Sequence, residues 1–173
     1  MTTNEGNDSG AGLAVPAGAR RRAVYSHRAN ADGLFTRIEP TPLSQFWIDS
    51  GFATYHFKSD VALSGRNPGL GVEYRFRADV AATAGRFLNS DGELSNYLGA
   101  IWQPVAIGPV RLGAVVAAFN GYPHVRGAGW FPALIPMATV EYQRVGVNIG
   151  FVPTVQNRLH GGISVQLKFR LAP

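Results

Sequence analysis

Apolar and polar side chains alternate along much of this chain, and the alternation is clearest at its end. Residues 162–171 carry Val165, Leu167, Phe169 and Leu171 on one face, and Gln166, Lys168 and Arg170 on the other. Successive side chains of a β-strand point to opposite faces of its sheet, so a period of two predicts a strand. This pattern fits a barrel strand in water or in lipid, because either environment leaves one apolar face and one polar face.

Similar patterns after residue 50 predict further strands. The predicted strands cover residues 51–58, 69–78, 79–89, 95–105, 109–119, 133–143, 145–153 and 162–171. The connections alternate between short and long, so the long loops gather at one end of an up-and-down barrel. Outer-membrane barrels have short periplasmic turns and longer external loops. The sequence therefore predicts an all-β fold, an eight-stranded antiparallel up-and-down transmembrane β-barrel.

The two faces of each predicted strand indicate what surrounds the barrel. Residues 69–78 set Leu70, Val72, Tyr74 and Phe76 against Gly71, Glu73, Arg75 and Arg77. The interior of so small a barrel is narrow and suits small or mutually paired polar residues. An outward apolar face in water would far exceed the patches that monomeric proteins expose. We therefore expect the apolar faces to contact lipid.

Composition narrows the classes of function. The chain has 173 residues, 46% hydrophobic and 16% charged, as expected for a single domain. The lack of cysteine excludes a disulfide scaffold, a zinc–thiolate site and a cysteine nucleophile. The net charge of +5 comes from scattered basic residues, apart from Arg20, Arg21 and Arg22, so no nucleic-acid partner is expected. No apolar run is long enough for a transmembrane helix. No cofactor is expected.

The N-terminal segment differs in character from the rest. Residues 1–40 are poor in large apolar side chains, so we expect a flexible tail before a barrel domain over residues 41–173. Residues 1–19 lack the apolar stretch of a secretory signal, which argues against export. A short amphipathic helix is predicted over residues 42–49, with Leu43, Phe46 and Trp47 on one side.

The inward residues divide by height into a polar floor and an apolar well. The floor, near the short turns, comprises Glu73, Arg75, Arg77, Arg111, Glu141, Gln143, Lys168 and Arg170. Buried charges are tolerated when paired, so we expect an ion-pair network that closes the pore. The well, near the long loops, includes Gly71, Val115, Phe119, Gly150 and Val152. It suits a hydrocarbon chain, although these side chains are equally consistent with simple filling of the barrel.

The long-loop end also carries side chains suited to acyl transfer. His56 and Ser90 form the candidate pair, since an imidazole can take the hydroxyl proton as an acyl group arrives. The histidines His56, His124 and His160 lie on separate strands or loops without metal-ligand spacing, so no metal site is expected.

Several motifs resemble the outer-membrane lipid A palmitoyltransferase (PagP) family, in the same order, over roughly residues 46–173. Thr54-Tyr55-His56 resembles the family's aromatic-His motif near the outer end of its first strand. Residues 87–90, Phe-Leu-Asn-Ser, resemble its Phe-x-Asp-Ser segment, with Gly99 and Trp102 at the same downstream spacing. Residues 130–142, 151–153 and 168–171 resemble its later strands.

The resemblance implies that His56 and Ser90 are catalytic and that the well measures an acyl chain given by a phospholipid to lipid A. Asn89 stands at the family's acidic position and is included with the catalytic candidates. An amide cannot ionise to stabilise an imidazolium, so Asp91 or Glu93 is a candidate for that role.

These observations leave three hypotheses. The first is a monomeric outer-membrane barrel that binds a lipid acyl chain and transfers it from phospholipid to lipid A, these membrane lipids being its partners. The second is a non-enzymatic structural or ligand-binding barrel, with His56 an ordinary rim residue and Ser90 a turn former in the strong turn sequence of residues 89–92. The third is a soluble carrier of fatty ligands, which the missing signal favours and the charged floor contradicts.

Overall fold

A computed structural model describes residues 33–57, 64–154 and 161–171. Its strands are β1 (Thr36–Arg37), β2 (Pro42–His56), β3 (Arg66–Arg77), β4 (Val80–Leu88), β5 (Leu94–Ile107), β6 (Val110–Phe119), β7 (Phe131–Tyr142), β8 (Val145–Val152) and β9 (Gly162–Arg170). A short 3-10 turn, Arg126–Ala128, lies between β6 and β7. No helix within these residues has the length and apolarity to cross a membrane.

Strands β2 to β9 close into a barrel. Each pairs in antiparallel fashion with the next, and β9 returns to pair with β2. Two-residue turns at residues 78–79, 108–109 and 143–144 join β3 to β4, β5 to β6 and β7 to β8. Gly108 adopts a φ of +53°, which suits such tight hairpins. The predicted up-and-down barrel, with its short turns at one end, is confirmed.

The apolar strand faces point outward and the polar faces point into the lumen. Leu70 is 66% exposed, whereas Arg75 and Arg111 are buried. Aromatic side chains are exposed near both strand ends, among them Phe46, Tyr74, Phe76, Trp102, Tyr142, Tyr55 and Phe151. An apolar exterior with aromatic residues at both margins is typical of a barrel that spans a membrane. The chain is therefore a transmembrane β-barrel.

The helix predicted over residues 42–49 is wrong, because these residues form the first half of β2. Burial alternates there: Phe46 and Ile48 are exposed, while Trp47 and Asp49 are buried. Phe46 and Trp47 therefore lie on opposite faces, not on one side of a helix. Strand β3 on one flank and β9 on the other supply backbone partners, which makes the extended form favourable.

Strand β1 lies within the segment expected to be a flexible tail. Residues 36–37 pair with residues 105–106 of β5, and the Ile38 amide donates to the Pro104 carbonyl at 2.8 Å. Pairing between β4 and β5 stops at Trp102, so β1 supplies partners for the rest of β5. The expectation of flexibility is therefore wrong for residues 36–38, and residues 1–32 lie outside the described residues.

Ion pairs fill the lumen beside the short turns. Arg75 contacts Glu73 at 2.8 Å and Glu141 at 2.6 Å, and Lys168 contacts the same two carboxylates at 2.8 and 2.7 Å. We call these four side chains the floor network. Trp47 packs against it, with Lys168 Nζ 4.6 Å from the centre of the indole ring. The expected ion-pair network is present among these four side chains, whereas both carboxylate oxygens of the nearby buried Asp49 have no hydrogen-bond partner among the described residues.

Four residues expected in the floor lie outside this network. Arg111 is buried and its Nε donates to Gln103 Oε1 at 3.2 Å, and Arg170 Cζ lies 5.5 Å from the centre of the Trp47 ring. The other two, Arg77 and Gln143, lie at the turns. Arg77 is 44% exposed and pairs with Asp79 at 2.7 Å. Gln143 is exposed in a turn, where its φ is +53°. Both stand where a strand meets a tight turn, so the alternation that predicted their inward direction ends before them.

Candidate active site at the long-loop end

An apolar well occupies the lumen at the long-loop end, with a cavity of about 140 Å³. Val115, Phe119, Gly150 and Val152, which were predicted for the well, line it. Further lining side chains are Phe52, Phe87, Ile101, Phe131, Ile135 and Met137. A surface of this kind excludes water and suits a hydrocarbon chain.

A belt of neutral polar side chains separates the well from the floor network. Gln103 Nε2 donates to Thr139 Oγ1 at 2.7 Å, and that hydroxyl donates to Asn148 Oδ1 at 2.8 Å. Asn148 Nδ2 then donates to Gln166 Oε1 at 3.2 Å. Asn148 and Gln166 also line the lower part of the well. The lumen therefore changes from apolar through amide to ionic along its length.

Gly71 does not line the well, contrary to the prediction. A side chain at this position would collide with the Tyr97 hydroxyl, and one at Gly85 would approach the Tyr97 ring within 2.6 Å. Tyr97 therefore occupies the space that two glycines leave on β3 and β4, and it lines the well itself. Strand alternation placed Gly71 inside correctly, but a pattern along one strand does not reveal a large residue arriving from β5.

His56 and Ser90 meet at the mouth of the well. His56 is the last residue of β2, and Ser90 lies in the turn after β4. The distance from His56 Nε2 to Ser90 Oγ is 3.0 Å, and Nε2 also lies 3.4 Å from the carbonyl of Ser64. Both side chains line the well. The pair predicted from sequence is therefore within hydrogen-bond distance.

Asn67 is part of this site and was missed by the sequence analysis. Its buried amide donates to the carbonyl of Leu88 at 3.0 Å and approaches Ser90 Oγ at 3.4 Å. Asn67 Oδ1 and His56 Nδ1 are both buried without a protein partner among the described residues. Unpaired buried polar atoms are costly, so a water or a substrate group is the natural partner for them. The inward direction of Asn67 on β3 was the available signal.

Asn89 organises the turn that carries Ser90. Its side chain is fully buried, and Nδ2 donates to Ser95 Oγ at 3.0 Å and to the Gly121 carbonyl at 2.8 Å. Its Oδ1 accepts the amides of Asp91 at 2.9 Å and Glu93 at 3.0 Å. All four hydrogen-bonding positions of the amide are thus directed at the loops, and none of the described bonds reaches His56. These contacts direct the Asn89 amide at the turn, and its inclusion with the catalytic residues stays a prediction.

Other titratable groups stand around the mouth. Asp91 and His124 line the well beside Tyr122. Burial raises the pKa of the Tyr122 phenol, and the nearby carboxylate of Asp91 adds to this shift. Tyr122 therefore remains a neutral hydroxyl that can donate a hydrogen bond. Both acidic candidates are exposed, and of the two Asp91 lines the mouth of the well.

The described residues bring together no group of three metal-binding side chains. His160 and Arg158, which precede β9 in the sequence, lie outside the described residues.

The geometry suits proton transfer to and from a hydroxyl beside an apolar pocket. Nε2 accepts the Ser90 proton when the other ring nitrogen, Nδ1, carries the ring hydrogen. A hydroxyl activated in this way can attack an ester whose acyl chain lies in the well.

Comparison with known proteins extends this description. No family model matches the chain. Over 99 residues the chain is 32% identical to the lipid A acyltransferase PagP of Laribacter hongkongensis (strain HLHK9), and this alignment covers 51% of the chain and 46% of that protein. The chain therefore spans about half the length of the curated relative it matches. It resembles the PagP family.

The similarity to PagP and the barrel agree with each other. An eight-stranded transmembrane barrel is the fold that the resemblance implied, and the strand order found here matches it. The choice of candidate catalytic residues depends on the geometry of the site, because the alignment covers only part of each protein.

Proposed function

We propose that this PagP-like barrel transfers an acyl chain from a phospholipid to lipid A in the outer membrane. The observation that carries the proposal is the 3.0 Å contact between His56 Nε2 and Ser90 Oγ at the mouth of an apolar well. The lipid-facing exterior supports it, because both substrates are membrane lipids that reach the protein from the bilayer.

His56 acts as the general base, and Ser90 acts as the nucleophile. Ser90 Oγ attacks the ester carbonyl of the donor while His56 takes its proton, and the carbon–oxygen bond to glycerol then breaks. The imidazolium returns that proton to the departing lysophospholipid oxygen. A hydroxyl of lipid A next attacks the acyl-serine, gives its proton to His56, and leaves Ser90 free to regain a proton.

The well holds the acyl chain, and Asn67 positions Ser90. The apolar wall of the well replaces the lipid that surrounds the acyl chain in the membrane, so the chain can enter without exposure to water. The ester carbonyl of the donor can then lie beside Ser90. Asn67 Nδ2, at 3.4 Å from Oγ, restrains the serine and is suitably placed to donate to the developing oxyanion. Asn89 restrains the backbone of the same turn.

The test is transfer of a labelled palmitoyl chain from phosphatidylcholine to lipid A by detergent-refolded protein. The parent is expected to form acylated lipid A and lysophospholipid in equal amounts. His56→Ala and Ser90→Ala are each expected to lower the rate by about a hundredfold or more, since each removes a group that moves the reacting proton. Ser44→Ala, which removes a hydroxyl near the short turns, is the matched control and should keep the parent's rate.

A second function is favoured by the hydrogen bonds of Asn89. These bonds make residues 89–93 a complete turn without any catalytic requirement, so Ser90 is also explained as a turn residue of a lipid-binding barrel. That alternative predicts acyl chains bound in the parent with no transfer to lipid A. Equal transfer by the parent and Ser90→Ala would exclude Ser90 as nucleophile.

A further inference from the structure

Two arginines stand on the outer surface of the barrel close to the site. Arg66 and Arg86 are both exposed and lie on the neighbouring strands β3 and β4. Arg86 is opposite Leu70 of β3 and Asn96 of β5, whose side chains also face outward. Arg66 is opposite the outward Ala53 of β2. We call Arg66 and Arg86 the arginine patch.

Neutral amides hold Arg86 in place. Its Nε donates to Asn96 Oδ1 at 2.7 Å, and the amide hydrogens of Asn96 in turn reach Asn120 Oδ1, from N at 2.8 Å and from Nδ2 at 3.1 Å. The Nε of Arg86 is thus held by an uncharged partner, which leaves its terminal nitrogens for another acceptor. Within the part of the chain that the structure describes, no carboxylate pairs with Arg66 or Arg86.

The two charges are close enough to share one ligand. The Ser64 amide donates to the Ser90 carbonyl at 3.2 Å, and Leu70 of β3 is paired with Arg86 of β4. Arg66 lies between Ser64 and Leu70 in the sequence, so it stands beside the end of β4. Neighbouring strands are about 4.8 Å apart and residues rise by about 3.3 Å along a strand. Arg66 lies four residues before Leu70, which is about 13 Å along the strand, so the two guanidinium groups can converge on a single anion when both side chains extend toward each other.

A cation on a lipid-facing surface requires a counter-charge. Burial of arginine against hydrocarbon is unfavourable and becomes tolerable near the polar margin of the membrane. Leucines surround the patch, namely Leu70, Leu88, Leu94 and Leu98, which are all exposed. Since no acid stands here among the described residues, we infer that a lipid headgroup supplies the partner. Phosphate matches the planar donor fork of arginine best.

We propose that Arg66 and Arg86 bind a phosphate group of lipid A on the outer surface of the barrel. The site rests on the proposed function, because it places the acceptor beside the catalytic pair. Ser90 follows the end of β4, the strand that carries Arg86. A lipid A molecule held by its phosphate at this strand end presents its hydroxyl groups next to the mouth of the well.

The experiment measures binding without turnover. Refolded protein is titrated with phosphatidylcholine vesicles that contain bis-phosphorylated lipid A, chemically dephosphorylated lipid A or phosphatidylglycerol. Arg66→Gln/Arg86→Gln should bind phosphorylated lipid A about tenfold more weakly, since two charge-assisted contacts are lost, and should bind the dephosphorylated form as the parent does. Arg86→Lys should retain part of the affinity. Arg144→Gln, an exposed arginine in a short turn, is the matched control and should bind like the parent.

Three results would overturn the site. They are unchanged binding of phosphorylated lipid A by the double variant, an equal loss for phosphorylated and dephosphorylated lipid A, or an equal loss for phosphatidylglycerol, which would mean that any anionic headgroup suffices. Heat-shift electrophoresis checks that each variant is folded. Failure of the parent to transfer an acyl chain, with its binding of phosphorylated lipid A intact, would refute the proposed function and leave the phosphate site standing.

Discussion

Two adjacent residues, Asn89 and Ser90, do different work although the sequence placed them together. Asn89 directs its amide into the loops, to Ser95 and Gly121, whereas Ser90 directs its hydroxyl to His56. Asn89 stands where the family that the chain resembles has an acid, and its amide makes its hydrogen bonds within the turn and not to the imidazole of His56. Two N–H donors that an aspartate lacks are used here.

Asn89→Ala should destabilise the barrel by about 1–3 kcal/mol, because it leaves partly buried backbone groups of the turn without partners. Transfer should fall with it, since Ser90 loses its fixed position. Urea unfolding and the transfer assay measure the two effects.

Asn89→Asp separates positioning from chemistry. The carboxylate still accepts the amides of Asp91 and Glu93 but loses the donors to Ser95 and Gly121, so transfer should stay at or below the parent's rate. A clear gain in transfer would mean that an acid at this position acts on His56.

At the scale of the element, the packing of Tyr97 from β5 across Gly71 and Gly85 sets the width of the well. Gly85→Ala should push the Tyr97 ring into the lumen and weaken acyl-chain binding. Gly85→Ala/Tyr97→Leu should restore binding by returning the space. Binding of a labelled fatty acyl chain measures this, with Ala82→Val on the outward face of β4 as the control.

An unchanged affinity in Gly85→Ala would show that the acyl chain does not reach the level of Tyr97. The packing of Tyr97 across Gly71 and Gly85 would then contribute only to stability, and the free energy of unfolding of Gly85→Ala would be lower than that of the parent.

Strands that alternate strictly could be predicted from the sequence, and β3, β8 and β9 follow their predicted bounds closely. Pairing across the barrel could not be predicted as fully. The first half of β2 resembles a helix when Leu43, Phe46 and Trp47 are considered alone, and β1 is too short to show a period. Both are stabilised by partners distant in the sequence, so their own residues carry little signal.

The site was partly predictable for the same reason. His56 and Ser90 were found because their chemistry is distinctive and lies at strand ends. Asn67 and Tyr97 were missed because an inward amide or phenol has no motif, and its role depends on which strand stands opposite. Gly71 was assigned to the well because its inward direction was visible and its neighbour was not.

For the whole molecule, the cost of a charge on the lipid-facing exterior should depend on its depth in the membrane. Val116→Arg, on the outward face near the middle of β6, should lower the free energy of unfolding in phosphatidylcholine vesicles by about 2–4 kcal/mol. Val145→Arg, outward at a short turn, should cost only about 0–1 kcal/mol. Urea titration in vesicles measures both, and equal costs would contradict the membrane depth inferred here.

The floor network should respond to loss of one partner and recover with loss of two. Lys168→Met leaves Glu73 and Glu141 with Arg75 alone and should cost about 3–5 kcal/mol. Lys168→Met/Glu73→Gln removes a charge of each sign and should recover much of that loss. Unfolding in urea is the measurement, and no recovery in the double variant would indicate that the pair contributes through packing alone.

Trp47, buried among Lys168, Arg75 and Arg170, has a consequence for how assembly can be followed. The other two indoles, Trp102 and Trp130, are exposed, so the chain carries one chromophore inside and two outside. Emission from the outer pair reports arrival in the bilayer, and emission from the inner one reports closure of the seam between β2 and β9. Variants in which single Trp residues are replaced by Phe would therefore allow tryptophan fluorescence to follow membrane insertion and barrel closure separately in time.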